Sequence, residues 1–430
     1  MKSDALRQLR HATDAAISSE PIIEAIRVMA AGPSPRGRER ATATRLAAWA
    51  RSRWPELPWS LEAVGAEGAN LTSTAGGSGP ELLLYSHLDT SLSGDVEHDR
   101  WATGIDEEPA PLSVDPASGL LAGFGLGVAR APAAAALAGY AAAATALRRD
   151  GLPHRLSLLL ASGGTHSSPF APAGPSGIDE HLRSHPLPSA AVVAKCGPRG
   201  VLHEEPGAIF LRVRLGGPYR PVLARDAGGG LLANLGTATA ILESWRTEHV
   251  AARAAAGRQL AAEAGIGAVR GGLLEKPDLL PGVVELHLYL VTVPGDDPDE
   301  IARTVLARMR AGIPGGPLDG CRVSVDARLV HPAGVTSPDA PVIRHAIAAW
   351  HDEHGEPPPA ISGWKGSTDG VVLRGHGVPT ARVGPAPGSD PADPRRDVFD
   401  PRTLVRFARL YAGIAVRHAL GDVEGQGHRH

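Results

Sequence analysis

What most constrains this chain is an alternation of apolar strands with helices that is broken once, near its middle. Residues 20–53 read as helices interrupted at Gly32-Pro33, and 68–85 as two strands joined by the turn Gly76-Gly77-Ser78-Gly79-Pro80. An Ala-rich helix follows Pro132 and runs to about Arg149, with apolar strands next at 156–161 and 190–194. This order predicts a mostly parallel sheet covered by helices, because parallel neighbours need a crossover long enough to hold one. Between about 207 and 330 the order changes to strand 209–215, helix 231–254, strands 266–271 and 283–293, helix 297–311 and strand 321–329. That β-α-β-β-α-β succession is the ferredoxin-like unit. The α/β pattern then returns with helix 341–354, strand 379–383 and helix 402–418. The predicted organisation is an α/β domain in two pieces, 1–206 and 330–430, around an inserted α+β domain at 207–329.

Composition excludes several partners. A formal charge of -3 over 430 residues gives no electrostatic reason to bind nucleic acid or an anionic membrane. Two cysteines, Cys196 and Cys321, cannot build a disulfide scaffold and suit a reducing compartment. Residues 1–17 lack an apolar signal segment, and no stretch reaches the roughly 18 apolar residues of a membrane span. The expectation is a soluble, cytoplasmic protein that handles a small molecule. The tail 421–430 ends in Gly-His-Arg-His and is expected to be disordered, with no more than adventitious metal binding.

Chemistry concentrates first in the run Leu82-Leu83-Leu84-Tyr85-Ser86-His87-Leu88-Asp89-Thr90. An apolar strand ending on histidine, with a carboxylate two residues later, puts both at the C-terminal edge of a sheet, where open α/β folds bind ligands and metals. With Gly123-Phe124-Gly125 opening the Ala-rich helix, Gly366-Ser367-Thr368-Asp369-Gly370, Gly377-Val378-Pro379 and Gly384-Pro385, the chain resembles the di-zinc exopeptidases and amidohydrolases. That family includes aminoacylase, acetylornithine deacetylase, succinyl-diaminopimelate desuccinylase and glutamate carboxypeptidase. The resemblance covers essentially the whole chain. It extends to the inserted unit, with Gly271-Gly272 and the turn Val293-Pro294-Gly295. It implies a peptidase-like domain with an inserted lid that also forms a homodimer.

The family's chemistry rests on two zinc ions, a bridging carboxylate, four further ligands and a glutamate base, because the metal-bound water must be acidified and then deprotonated. Carried over residue by residue, His87 matches a ligand and Asp89 the carboxylate that orients it. Val128 stands where the bridging aspartate is expected, and Thr165 and His166 stand where the base and a ligand are expected. Lys195, followed by Cys196, takes a carboxylate position, and Asp393 that of the last histidine. The lid histidine is missing, since residues 204–248 contain none, and Val291 lies where relatives often carry arginine. Slippage does not restore the set: no Asp or Glu occurs at 120–148 or 153–176.

The substitutes are polar, although burying an unpaired polar group costs about 1–3 kcal/mol. One expectation is a metal-free pocket. There Lys195, held by Asp89 or Asp393, replaces a lost zinc as a fixed cation, with His87, Asp89 and His166 as acid-base groups. Another is a mononuclear zinc or iron site formed by His87, His166 and Asp393; Lys195 nearby argues against it. Thr165, Cys196, Lys365, Asp369 and Asp393 are the candidate substrate contacts. Cys196 is also open to reading as a nucleophile or a buried apolar residue, and Lys195 with Asp393 as a structural ion pair. Arg130 is open to binding an anion or facing solvent, while His203-Glu204-Glu205 reads as a solvated connection into the lid. The functional expectations are an enzyme acting without the di-zinc centre on an amino-acid-derived amide or carboxylate, or a non-catalytic binding or scaffold relative.

Overall fold

A computed structural model describes residues 2–421 apart from 173, 226, 227 and 256. The His-containing tail lies outside the described residues. The central sheet has six strands in the order Trp59–Val64, Gly68–Gly76, Arg155–Ala161, Glu81–His87, Ala190–Ala194, Thr380–Val383. The first two contacts in that order are antiparallel and the remaining three parallel. Strands 68–76 and 81–87 follow one another in sequence but do not pair, because Arg155–Ala161 lies between them.

Period-two alternation sends the side chains of Glu81–His87 to two different cores. Leu82 and Leu84 join the large core beneath helices Ala131–Arg149 and Pro401–Leu420, while Leu83 and Tyr85 join a smaller one with Ile178, Leu182, Val372 and Leu373. Helix Ala131–Arg149 is apolar on nearly every face because it is enclosed on nearly every face. It forms most of the segment, 126–149, that among the described residues is long and apolar enough to cross a membrane, and that segment is packed inside the protein. Gly139 allows its closest packing: a Cβ there would lie 2.5 Å from the Ala408 carbonyl oxygen and 3.1 Å from the Tyr411 Cβ. Gly139→Ala is therefore expected to lose about 1–3 kcal/mol through overpacking, although alanine is the better helix former; urea denaturation measures it.

The inserted unit forms its own sheet, ordered Glu263–Gly271, Val283–Thr292, Gly207–Gly216, Arg322–His331, antiparallel throughout. Ile209, Leu211, Val213 and Leu215 point to one face, where helices Leu235–Ala252 and Pro298–Gly312 cover them in a separate core. The longer helix starts later than expected, since Gly230–Ala233 forms a turn of its own before Asn234. The α/β sheet with a second, antiparallel α+β sheet is the architecture the residue pattern predicts.

Candidate functional site

Four segments meet at the C-terminal edge of the parallel strands: residues 88–91 after His87, 162–166 after Ala161, 195–198 after Ala194 and 384–387 after Val383. With Val128, Trp364, Ser367 and Arg382 they enclose a cavity of about 650 Å³. His87, Thr165, His166, Lys195 and Cys196 all line it, so the sheet edge collects most of the predicted group.

His87 is buried and its Nδ1 lies 2.7 Å from Asp89 Oδ1. Asp89 also accepts from the Gly164 and Thr165 amides at 2.7 and 2.8 Å and from the Thr165 hydroxyl at 2.5 Å. Burial opposes charge on Asp89, but the His87 ring and these donors together hold its carboxyl well below the usual range. An ionised carboxylate only accepts, so His87 Nδ1–H donates to Asp89 and Nε2 is the ring atom left for the cavity. Glycine at 164 makes this approach possible, since a Cβ there would stand 2.4 Å from the His87 Cβ. The Thr165 hydroxyl spends its proton on Asp89, so toward the cavity, which Thr165 lines, it can only accept.

Lys195 is buried on the cavity wall and its Nζ donates to Asp369 Oδ1 at 2.5 Å. The Tyr85 hydroxyl donates to the other Asp369 oxygen, and the ammonium lies 5.6 Å from the centroid of the Tyr85 ring. The lysine is thus held by Asp369, in place of the Asp89 or Asp393 expected from sequence. Asp369 is correspondingly fully paired and is no free substrate contact. Asp393 is gripped through both oxygens by Arg395, at 2.9 and 2.8 Å, and does not line the cavity. On the neighbouring strand Arg396–Phe399 it is Asp397 that faces inward, accepting from the Gly127 amide at 2.7 Å. Lys365 is exposed and donates to Glu263 of the inserted sheet at 2.7 Å, so it ties the domains together outside the cavity. The Cys196 thiol is pushed up by burial and by the charge of Asp397, which suits an apolar wall rather than a nucleophile.

The inserted unit supplies two rings that were not foreseen. His166 Nδ1 lies 3.1 Å from the Tyr289 hydroxyl, and the His331 ring centroid is 5.3 Å from that of His166. A histidine therefore reaches this region from the end of the inserted sheet, although none occurs at 204–248. Burial, assisted by His331, holds His166 down to about 3. The unfolded chain takes up this proton near pH 6.5. Between pH 6.5 and about 3 the unfolded state thus binds more protons than the native state, and stability falls as pH falls through that window. His166→Gln is expected to remove up to about 2 kcal/mol of the loss between pH 6.5 and 5, measured as urea midpoints at several pH values.

Glu205 also departs from expectation. It is completely buried and accepts from Arg374 Nη1 at 2.5 Å, Arg382 Nη1 at 3.0 Å and the Thr368 hydroxyl at 2.5 Å. Arg382 donates further to the Gly366 and Cys196 carbonyls and lies 5.2 Å from the centroid of the Trp364 ring, so it braces three walls of the cavity. Arg130 is likewise buried, donating to the Phe124 and Gly32 carbonyls, and neither faces solvent nor reaches the cavity. Val291 is buried within its strand. Of the missed residues, only Tyr85 carried a signal, sharing a strand face with His87 two positions on.

Among the described residues no three His, Cys, Asp or Glu ligand atoms converge within 4.8 Å in this cavity. The corner that holds Lys195 carries an ammonium, and Val128 presents a hydrocarbon side chain. His87, His166 and Asp393 are not brought together.

No protein-family profile matches the sequence, and no curated protein matches it either. Solved structures do match. An aminopeptidase from Bacillus cereus is 16% identical, with 94% of this chain and 99% of that one covered at a TM-score of 0.61. A metallo-carboxypeptidase of the M20 family from Sulfolobus solfataricus is 12% identical, with 93% and 99% covered at 0.65. A Bacillus subtilis protein described as a dinuclear metal binding peptidase of the same family is 14% identical, with 93% and 97% covered at 0.57. At such identities the likeness shows the fold. This chain has the fold of the M20 peptidases, which is the fold its motifs implied.

Proposed function

We propose that this protein is an enzyme that acts on an amino-acid-derived amide or carboxylate without a di-metal centre. The observation that carries the reading is the buried Lys195–Asp369 pair on the wall of the cavity that His87 also lines. A divalent cation placed there would stand against an ammonium, and the repulsion is strong at any dielectric a protein interior offers. The residues present do not suit two zinc ions, so no step is routed through them.

In this reading Lys195 is the fixed cation that polarises the substrate carbonyl or holds its carboxylate. His87, with Nδ1–H directed at Asp89, uses Nε2 as the base: it takes a proton from the attacking water or amine and returns it to the departing nitrogen or oxygen. Tyr289 and His331 reach His166 on the cavity wall from the inserted sheet. The arrangement serves hydrolysis, amide formation or cyclisation alike, because each passes through a carbonyl carrying developing negative charge. We further propose the domain limits 1–206 with 330–430 and 207–329, and a homodimer through the inserted unit. Its outer strands each pair on one side only, and Leu223 and Leu274 are almost fully exposed. Light scattering is expected to give twice the 44.5 kDa of one chain.

The test is turnover of N-acyl amino acids and dipeptides, and of the reverse condensations, in the presence of a strong chelator. Activity is expected to survive the chelator and to be lost in His87→Ala. Two tightly bound zinc ions per chain, with activity abolished on their removal, would refute the proposal. Saturable binding without turnover would favour the non-catalytic reading.

A further inference from the structure

We propose that Glu62, His181 and His185 form a zinc-binding site on the outer edge of the central sheet, separate from the cavity. Glu62 projects from Trp59–Val64, the edge strand, and the two histidines come from helix Gly177–Ser184 and the residue that caps its C-terminus. Four residues apart, their side chains fall on one face of the helical turn.

Three observations favour a cation here over a simple hydrogen-bonded cluster. The first is spacing. Glu62 Oε2 lies 3.0 Å from His181 Nδ1 and Oε1 lies 3.4 Å from His185 Nε2, and ligand atoms of all three residues lie within 4.8 Å of one another. Zinc bonds of about 2.0–2.1 Å at a tetrahedral angle put neighbouring ligand atoms roughly 3.3 Å apart, close to both distances. The second is the way the rings are held. His185 Nδ1 lies 3.1 Å from the His181 carbonyl oxygen, which turns Nε2 toward Glu62, and the two imidazoles stack with centroids 4.2 Å apart and planes at 19°. All three groups therefore converge on one point that a single cation can occupy.

The third observation is the support behind the carboxylate. Asn70 is fully buried; its Nδ2 donates to Glu62 Oε2 at 3.4 Å and to the Gly177 carbonyl at 2.9 Å, while its Oδ1 accepts from the Ser162 amide. The carboxylate is thereby fixed relative to the start of the helix that carries both histidines. This is the outer partnership that ligating groups ordinarily have. Two imidazoles and one carboxylate suit zinc among the common divalent ions, and leave a fourth position on the side where His185 is open to solvent.

The experiment uses the full chain carrying His428→Ala and His430→Ala, which removes the tail histidines. The protein is stripped with chelator, dialysed and titrated with zinc chloride by calorimetry, then with cobalt(II) followed by its visible absorption. The expected result is one ion per chain, with tetrahedral cobalt bands and a zinc-dependent rise in Tm. His185→Ala and His181→Ala should each weaken binding roughly tenfold or more, since ligand loss costs at least as much as loss of an outer partner. Both variants should keep the Tm of the stripped parent, because His185 is on the surface and His181 is not part of the core. Zinc binding that survives His181→Ala and His185→Ala combined, that is lost on His87→Ala instead, or that is absent from the parent would overturn the proposal.

Discussion

Replacing Lys195 by methionine is expected to destabilise the protein by about 3–5 kcal/mol, because it leaves Asp369 buried with one hydroxyl partner and no counter-charge. The lysine stem itself is well matched by methionine, so little of this loss comes from packing. The loss should shrink as pH is lowered and the stranded carboxyl takes up a proton, the reverse of the trend that His166 sets in the parent. Adding Asp369→Leu should recover much of the stability, since replacing a whole buried ion pair by apolar groups is frequently neutral. The double variant thus separates the two roles of the lysine. If Lys195 serves catalysis, a stable double variant remains inactive; if the pair is only a cross-link, activity returns with stability. Urea unfolding followed by tryptophan fluorescence gives the first measurement, and turnover the second. A single variant as stable as the parent would show that the pair is not closed in solution.

Glu205→Gln should have an effect at least as large, about 3–5 kcal/mol or more, because two guanidinium groups then share one neutral amide at a fully buried position. Both the Arg374 and the Arg382 contacts would weaken together. Glu205 also lies two residues before the inserted sheet begins at Gly207. The change should therefore loosen the connection as well as lower the Tm, and proteolysis of the native protein is expected to begin at residues 203–206 or 332–336. Arg374→Met is predicted to be milder, since Arg382 continues to neutralise Glu205. Thermal denaturation with mapping of the first cleavage distinguishes these outcomes; equal loss in both variants would mean that the network acts as one unit.

The contrast between Lys195 and Lys365 shows how far residue patterns reach. Both follow or flank a recognisable motif, and the residue pattern places both in the pocket. Strand Ala190–Ala194 ends beside the C-terminus of Glu81–His87, so Lys195 enters the cavity; Lys365 sits on a loop that turns back to the inserted sheet and finds Glu263. Asp393 and Asp397 differ in the same way. Four residues apart on a strand-forming segment, one is absorbed by its neighbour Arg395 and the other meets Gly127 from a distant part of the chain. Partner choice of this kind depends on loop paths, and loop paths are set by packing at their ends.

By itself the sequence determined most elements of the two sheets, their order and the inserted β-α-β-β-α-β unit, because hydrophobic period and turn residues are local signals, but it left out the edge strand Trp59–Val64 and helix Gly177–Ser184. It also determined that no carboxylate occurs within the two segments where bridging and base groups were expected. The tertiary structure decided who partners whom. Asp369 holds Lys195, Asp89 holds Thr165 besides the His87 it was expected to orient, the inserted sheet contributes Tyr289 and His331, and Glu205 binds two arginines from far along the chain. Those pairings lie between residues brought together only at the sheet edge and domain junction, and charge pairing at a few ångströms leaves no periodicity in a sequence for a reader to find.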